Sequence, residues 1–232
     1  MTIRKLVALS SIFLLFGVGC FQKETLTGNE SVVPSIPNVV FSGPLSNNVP
    51  TDLKQYVGLF KGNGETSVGL SYLDLAIFLT PSVDGNTYTW QVNWGQIDAV
   101  IKAVLNSDNA VDWTVTIDGT QNDVNYSNWV AMTGNSNLDG NTGEWDIFST
   151  NSTLKSADFT WLVGSDDVKH GTLELISTNH IYELTNNPNK SGSLILKENN
   201  VTVYRADWNA DGSGSWTTWD AQGSQTDTDS WN

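Results

Sequence analysis

A mainly β fold, an antiparallel meander forming a barrel or a strongly curved sheet with one or two short helices, is what this 232-residue sequence predicts. Three observations carry that expectation. From Tyr88 onward apolar residues alternate with polar ones, the period-two signature of strands with one buried face. Asp-Gly, Asn-Asn and Asn-Pro pairs punctuate the alternating segments, as hairpin turns do. Asn, Asp, Ser, Thr, Gly and ten Trp are abundant, whereas long charged helix formers are scarce, a balance that favours strands and turns. The same signals leave a two-sheet β-sandwich as the alternative.

The chain opens with a leader. Arg4 and Lys5 form a positive region, and Leu6–Gly19 follows without a charge, ending at Cys20, the single cysteine. Such a run suits the core of a signal peptide, because a stable membrane span needs about 20 apolar residues. A lone cysteine cannot close an internal disulfide, and an attachment point for lipid explains it better. The window Phe16-Gly17-Val18-Gly19-Cys20 resembles the lipobox of bacterial lipoproteins, although Gly17 stands where that family usually carries a bulky aliphatic residue. The resemblance covers about 20 residues. It implies cleavage behind Gly19, with diacylation and N-acylation of Cys20 by chains such as palmitate. It also implies a membrane anchor in the cell envelope, and Phe21 in place of Asp points that anchor to the outer membrane. An ordinary signal peptide with an incidental cysteine is the competing reading.

Removing residues 1–19 takes away Arg4 and Lys5 and no acid, which deepens the net charge from −14 to −16. A surface that acidic repels nucleic acid and anionic headgroups, so nucleic-acid binding is excluded as a function class. Residues 20–50 read as the lipidated cysteine followed by a tether, with Pro34, Pro37, Pro44 and Pro50 among Asn, Ser and Gly. Val39-Val40-Phe41 is apolar enough that this stretch could instead pack on the domain as an arm. Residues 51–232 then form a single β domain.

Within that domain Thr51-Asp52 caps a helix carrying Leu53, Tyr56, Val57 and Phe60. Leu73–Leu79, nearly continuous in apolar character, suits a strand buried on both faces. Ile97, Val100, Ile101, Val104 and Leu105 recur at helical spacing, which predicts a helix over 96–106. About ten strands follow from the alternation in the remaining segments, around Tyr88–Trp94, Val111–Ile117, Phe159–Val163, Leu173–Leu175, Leu194–Leu196 and Val201–Trp208.

Asp84-Gly85, Asp139-Gly140 and Asp211-Gly212 each precede a Trp by a few residues. They read as one hairpin solution used repeatedly, with positive φ at the Gly. Trp90, Trp94, Trp113 and Trp161 alternate with other apolar residues and read as core. Trp208, Trp216 and Trp219 lie among Ser, Thr, Asp and Gly, and are candidates for an aromatic ligand-binding surface. In the same region Asp207, Asn209, Asp211 and Ser213 match the first half of a calcium loop, with oxygen ligands at alternate positions. Thr218 occupies the place of the bidentate Glu, and an Asx-rich turn explains the pattern equally. Asn135, Asn137 and Asp139, with Asp146, form a fainter copy.

Signals for catalysis are thin. His170 and His180 are the only histidines, and neither belongs to a metalloprotease-type spacing. No nucleophile elbow or phosphate loop is present. The expectation is a non-enzymatic envelope lipoprotein without an obligate cofactor, whose β domain binds a glycan, a lipid or a partner protein. A structural or assembly lipoprotein that docks other envelope proteins is the alternative. A carboxylate-based glycoside hydrolase is the remote enzymatic option.

Overall fold

Alternating side chains need a partner strand on each flank and a cover on one face, and a computed structural model shows how this chain supplies both. It describes residues 32–232 except 38, 62–66, 107–108 and 122; the leader and Cys20 lie outside the described residues. Two helices come first, α1 (Thr51–Phe60) and α2 (Ser67–Ala76). Thirteen strands follow among the described residues: β1 (Ser82–Asp84), β2 (Thr87–Trp94), β3 (Ile97–Leu105), β4 (Ala110–Gln121), β5 (Val124–Asn137), β6 (Thr142–Phe148) and β7 (Lys155–Val163), then β8 (Lys169–Leu175), β9 (His180–Asn186), β10 (Gly192–Glu198), β11 (Val201–Trp208), β12 (Gly214–Trp219) and β13 (Gln225–Trp231). They make one sheet in which every strand pairs with its sequence neighbours, β1 to β13 in order. The expected antiparallel meander is therefore present, as a strongly curved sheet. It is neither a closed barrel nor a sandwich, because β1 and β13 remain edges of a single sheet.

One face of the sheet is the core. Tyr88, Trp90 and Val92 point into it from β2, Val111, Trp113, Val115 and Ile117 from β4, and Phe159 and Trp161 from β7. Both helices pack on this inner face. From α1, Phe60 lies 6.0 Å from Phe159, and Tyr56 lies 5.5 Å from Tyr182 and 5.3 Å from Tyr204, ring centre to ring centre. Leu73 and Ala76 of α2 are buried as well.

Three local expectations are corrected. Residues 97–105 form β3, not a helix. Ala99 and Ala103 are buried beside Ile97 and Ile101 while Asp98 and Lys102 are exposed, so the true period is two. Counting only the large residues hid the small ones that complete the alternation, and the β-branched run favours the extended form. Residues 73–76 end helix α2, and Ile77, Phe78 and Leu79 beyond it are exposed rather than strand core. Residues 33–50, expected as part of the tether, belong to one compact unit with the β domain, Val33–Asn232. The helix at Thr51 is present, with Pro50 at the cap position and its carbonyl accepting from Lys54 N at 3.1 Å.

Residues 34–49 form an arm across the ends of the strands, here called the strap. Ser35 N donates to Leu138 O at 3.0 Å at the β5–β6 turn, and Lys169 Nζ donates to Val40 O at 3.1 Å at the start of β8. At the end of β9 the buried amide of Asn186 accepts from Ser42 N at 2.6 Å and donates to Ser42 O at 2.8 Å. Ser46 Oγ and Asn48 Nδ2 both reach the Asn232 carbonyl, at 2.9 and 3.0 Å. Pro34, Pro37, Phe41 and Val49 are buried, so the strap gains apolar contact as well as hydrogen bonds. Loss of chain entropy opposes this docking, and the proline content lowers that cost by stiffening the free arm.

The turns under the strap share one construction. Asn187 N donates to Ser191 O at 2.9 Å, and Asn209 N donates to Ser213 O at 2.8 Å. Gly164 N does the same to Val168 O at 2.8 Å. Gly140 and Gly212 hold φ of 70° and 89°, the left-handed conformation the Asp-Gly pairs predict. Tryptophans lock the same end. Trp145, Trp161, Trp208 and Trp231 stand directly across from Gly134, Gly143, Gly192 and Gly214. A Cβ on those glycines would fall 2.7, 2.5, 2.5 and 2.3 Å from the indole carbons. Three of the indoles also donate into a turn: Trp161 to Gly140 O at 3.0 Å, Trp208 to Lys190 O at 3.1 Å and Trp231 to Gly212 O at 2.7 Å.

Candidate functional site

Trp208 belongs to that locking system. It is 3 % exposed and unavailable as a binding surface. Trp216 is half-buried on the inner face and stacks on Tyr204 at 6.3 Å with 12° between the rings. Trp219 is half-buried too, but odd and even positions of one strand face opposite sides. The three tryptophans therefore do not form one platform. Trp94, read as core, is 61 % exposed, because it lies at the last position of β2, past the cover of the helices.

The calcium-like residues form the β11–β12 hairpin. Asp211 Oδ1 accepts from Ser213 N at 2.9 Å and from Ser213 Oγ at 2.7 Å, which holds the Asp211 carboxyl below its ordinary value. Asn209 Nδ2 donates to the same Ser213 Oγ at 3.1 Å, and Arg205 grips both carboxylate oxygens of Asp207 at 2.7 and 2.9 Å. Asp207, Asp211 and Ser213 thus each accept from a protein donor within the hairpin. In the fainter copy Asn137 Oδ1 accepts from Asn141 N and Thr142 N, and Asp146 pairs with Lys155. His170 contacts Thr185 Oγ1, and His180 lies 3.4 Å from Glu198.

An aromatic-walled cavity lies elsewhere, where strap, helices and sheet meet. It has a volume of about 290 Å³. Val39 and Phe41 of the strap, Phe60 of α1, Leu70 and Leu73 of α2, and Trp145, Phe159 and Trp161 of the sheet line it. The aromatic walls hold one another. Phe41 packs against Phe60 at 5.4 Å and Phe159 at 6.2 Å, Phe159 against Trp161 at 5.7 Å, and Trp161 against Trp145 at 6.0 Å. Gly171 makes room for the Phe41 ring, whose Cζ lies 2.6 Å from where a Cβ would stand. Lys61 and Asp74 also line the cavity, and neither makes an ion pair among the described residues. Burial pushes the Asp74 carboxyl up, since the wall strips water from its charged form. Chemically the arrangement offers apolar and aromatic surface with one cation and one acid, the form expected of a small-ligand pocket.

Farther along α1, Tyr56, Tyr182 and Tyr204 form a packed aromatic group. Burial raises all three phenols, Tyr182 to about 12, and the charge of Asp52 or Glu198 adds to the effect. The Tyr204 hydroxyl is buried without a protein partner among the described residues.

Sequence reasoning missed the cavity because five of its thirteen lining residues come from the strap, which reads as a tether. The legible signal was Val39-Val40-Phe41, an apolar run among prolines, together with Phe60 at the end of a helix. No known family model matches this chain, and a search of curated proteins finds no match to its sequence.

Proposed function

We propose that this chain is a lipid-anchored protein of the cell envelope whose β domain binds an apolar ligand in the cavity between strap, helices and sheet. The carrying observation is that cavity of about 290 Å³, walled by Phe41, Phe60, Trp145, Phe159 and Trp161. A methylene occupies about as much space as a water molecule, ~30 Å³, so the volume suits roughly nine or ten of them. At about 0.8 kcal/mol each, their burial contributes on the order of 7–8 kcal/mol before the cost of association is subtracted. A single acyl chain, bearing a headgroup near Lys61 and Asp74, meets those requirements. The reading is of binding without catalysis. The leader and Cys20 support acylation and attachment to a membrane, with the outer membrane the favoured address.

The test is to isolate the protein from its own membrane, wash it, extract it with organic solvent and identify what is released by mass spectrometry. A retained acyl lipid, lost in the cavity-filling variant Leu70→Trp, is the expected result. No retained species, or the same species in both proteins, ends the proposal. For the anchor, an alkyne fatty acid should label the wild type and not Cys20→Ala.

A second reading has its own observation. Ile77, Phe78, Leu79 and Val83 leave an apolar surface next to the β1 edge, with Phe78 83 % exposed. That surface favours a structural lipoprotein docking another envelope protein. Phe78→Ser should abolish cross-linking to such a partner while the lipid extraction stays unchanged.

A further inference from the structure

Strand β5 is paired along its whole length with β4, but only its upper part pairs with β6. The β5–β6 ladder runs from Ser136 opposite Gly143 to Met132 opposite Ile147 and stops there. Below it the two strands part. Register shifts in β4–β5, after Val115 and after Ile117, and another in β6–β7 after Ile147, bend the strands on either side of the gap. The loop between β6 and β7 bridges the gap with two bonds, Asn151 Nδ2 to Asn125 O at 2.8 Å and Trp129 Nε1 to Ser152 O at 3.3 Å. What remains is a cleft of about 580 Å³ whose lining includes no residue of the strap or of either helix.

The chemistry of its lining is unusual for this chain. The protein carries 25 acids and 11 Lys and Arg, yet every residue lining this cleft is uncharged. Val130 and Phe148 supply apolar floor, while Trp129, the neighbour of Val130 on β5, is 8 % exposed and belongs to the core. Around them the side chains of Ser127, Asn128, Thr133 and Thr153 make no hydrogen bond within the described protein, so four neutral polar groups stand uncommitted. Two acids adjoin the site, and both are engaged. Asp118 Oδ2 accepts from Asn128 N at 3.0 Å, and Asp146, across from Thr133, is held by Lys155 at 3.1 Å.

We propose that this cleft is a binding site for a neutral oligosaccharide. A pyranose ring offers an apolar C–H face and a rim of hydroxyls that both donate and accept, and the cleft presents the complementary pair of surfaces. A charged ligand would find no counter-charge in the lining, and in an acidic protein a polyanion would also be repelled at a distance. An extended peptide pairing with the free edge of β5 would compete with the Asn151 amide for the Asn125 carbonyl, which disfavours that occupant.

The experiment uses the full chain in lipid nanodiscs, titrated calorimetrically with maltohexaose, cellohexaose and chitohexaose, and with a uronic-acid hexamer as the charged comparison. At least one neutral hexamer should bind, and the charged hexamer should bind about tenfold more weakly or not at all. Val130→Arg places a long cation in the cleft at an exposed position, and Phe148→Ala removes its floor. Each should weaken binding by about tenfold or more, with the melting temperature of Val130→Arg unchanged. Absence of binding by all three neutral hexamers, equal binding of the charged one, or full binding by both variants overturns the proposal. Displacement of a bound sugar by an unstructured peptide would assign the cleft to strand addition instead.

Discussion

The two ends of this sheet are built from the same alternating strands and finish differently. At one end the turns between β5 and β6, β7 and β8, β9 and β10, and β11 and β12 lie beneath or beside the strap, and tryptophans close over glycines. At the other, Trp94, Leu154 and Ile176 are 61, 72 and 45 % exposed, and the β5–β6 pairing splays into the cleft. Alternation alone does not decide what is buried. A strand-end apolar residue becomes core only where another segment covers it, and at the strapped end that segment comes from far away in sequence. The consequence is a division of labour: one end holds the structure together, while the other has slack in which a ligand site can form.

Substitutions should separate the two ends in order of size. Gly143→Val, at the strapped end, puts a side chain 2.3 Å from Asn135 O and 2.5 Å from the Trp161 ring; it should cost about 3 kcal/mol or more in urea unfolding. A loss below about 1 kcal/mol would mean that the ring is not locked. Asn186→Ala removes both bonds to Ser42 and should cost about 2 kcal/mol. Amide exchange over residues 39–46 should accelerate with it, and unchanged exchange would show that the strap is held by its apolar contacts alone. At the far end, Lys155→Ala breaks exposed pairs with Asp146 and Asp158 and should shift stability by no more than about 0.5 kcal/mol, read from the same urea curves.

The smallest effects concern pH and carry opposite signs. The folded Asp211 carboxyl titrates below its unfolded value, so its contribution is present above the unfolded pKa and is lost as pH falls through the folded one. Asp74 titrates above its unfolded value, so the native state takes up its proton more readily, and stability is gained as pH falls. In melting curves between about pH 3 and 5, Asp211→Asn should flatten the acid loss and Asp74→Asn should steepen it. The same slope in both variants would contradict the two environments described.

Much of the fold was legible because strands with one buried face write their period into the sequence. Val111, Trp113, Val115 and Ile117 are in the core as expected, and the Asp-Gly pairs hold positive φ. The failures have physical causes. In β3 alanines took inward positions that a count of large residues overlooks. In Leu73–Leu79 a helix end and an exposed tip share an apolar composition with a buried strand. Trp208 sits among small polar residues because its neighbours are turn formers, and Gly192 opposite it leaves room for the ring. The sites were less legible than the fold. The apolar cavity depends on the strap crossing to β7 and β8, and the polar cleft depends on where a ladder ends. Neither leaves a local pattern.

The strap also dictates an order of assembly. Each hairpin of the meander can form as soon as its two strands exist, because every pairing joins sequence neighbours. The strap is made before any of them, yet its seats are Leu138, Asn186 and Asn232, the last two separated from their partners by 144 and 186 or 184 positions. A chain synthesised from its N-terminus must therefore carry this segment past each strand until its seat is made, Leu138 first, Asn186 later and Asn232 last. The cavity behind Val39 and Phe41 needs only the seats up to β8 and β9, whereas the Ser46 and Asn48 end of the strap has no seat until Asn232 is in place.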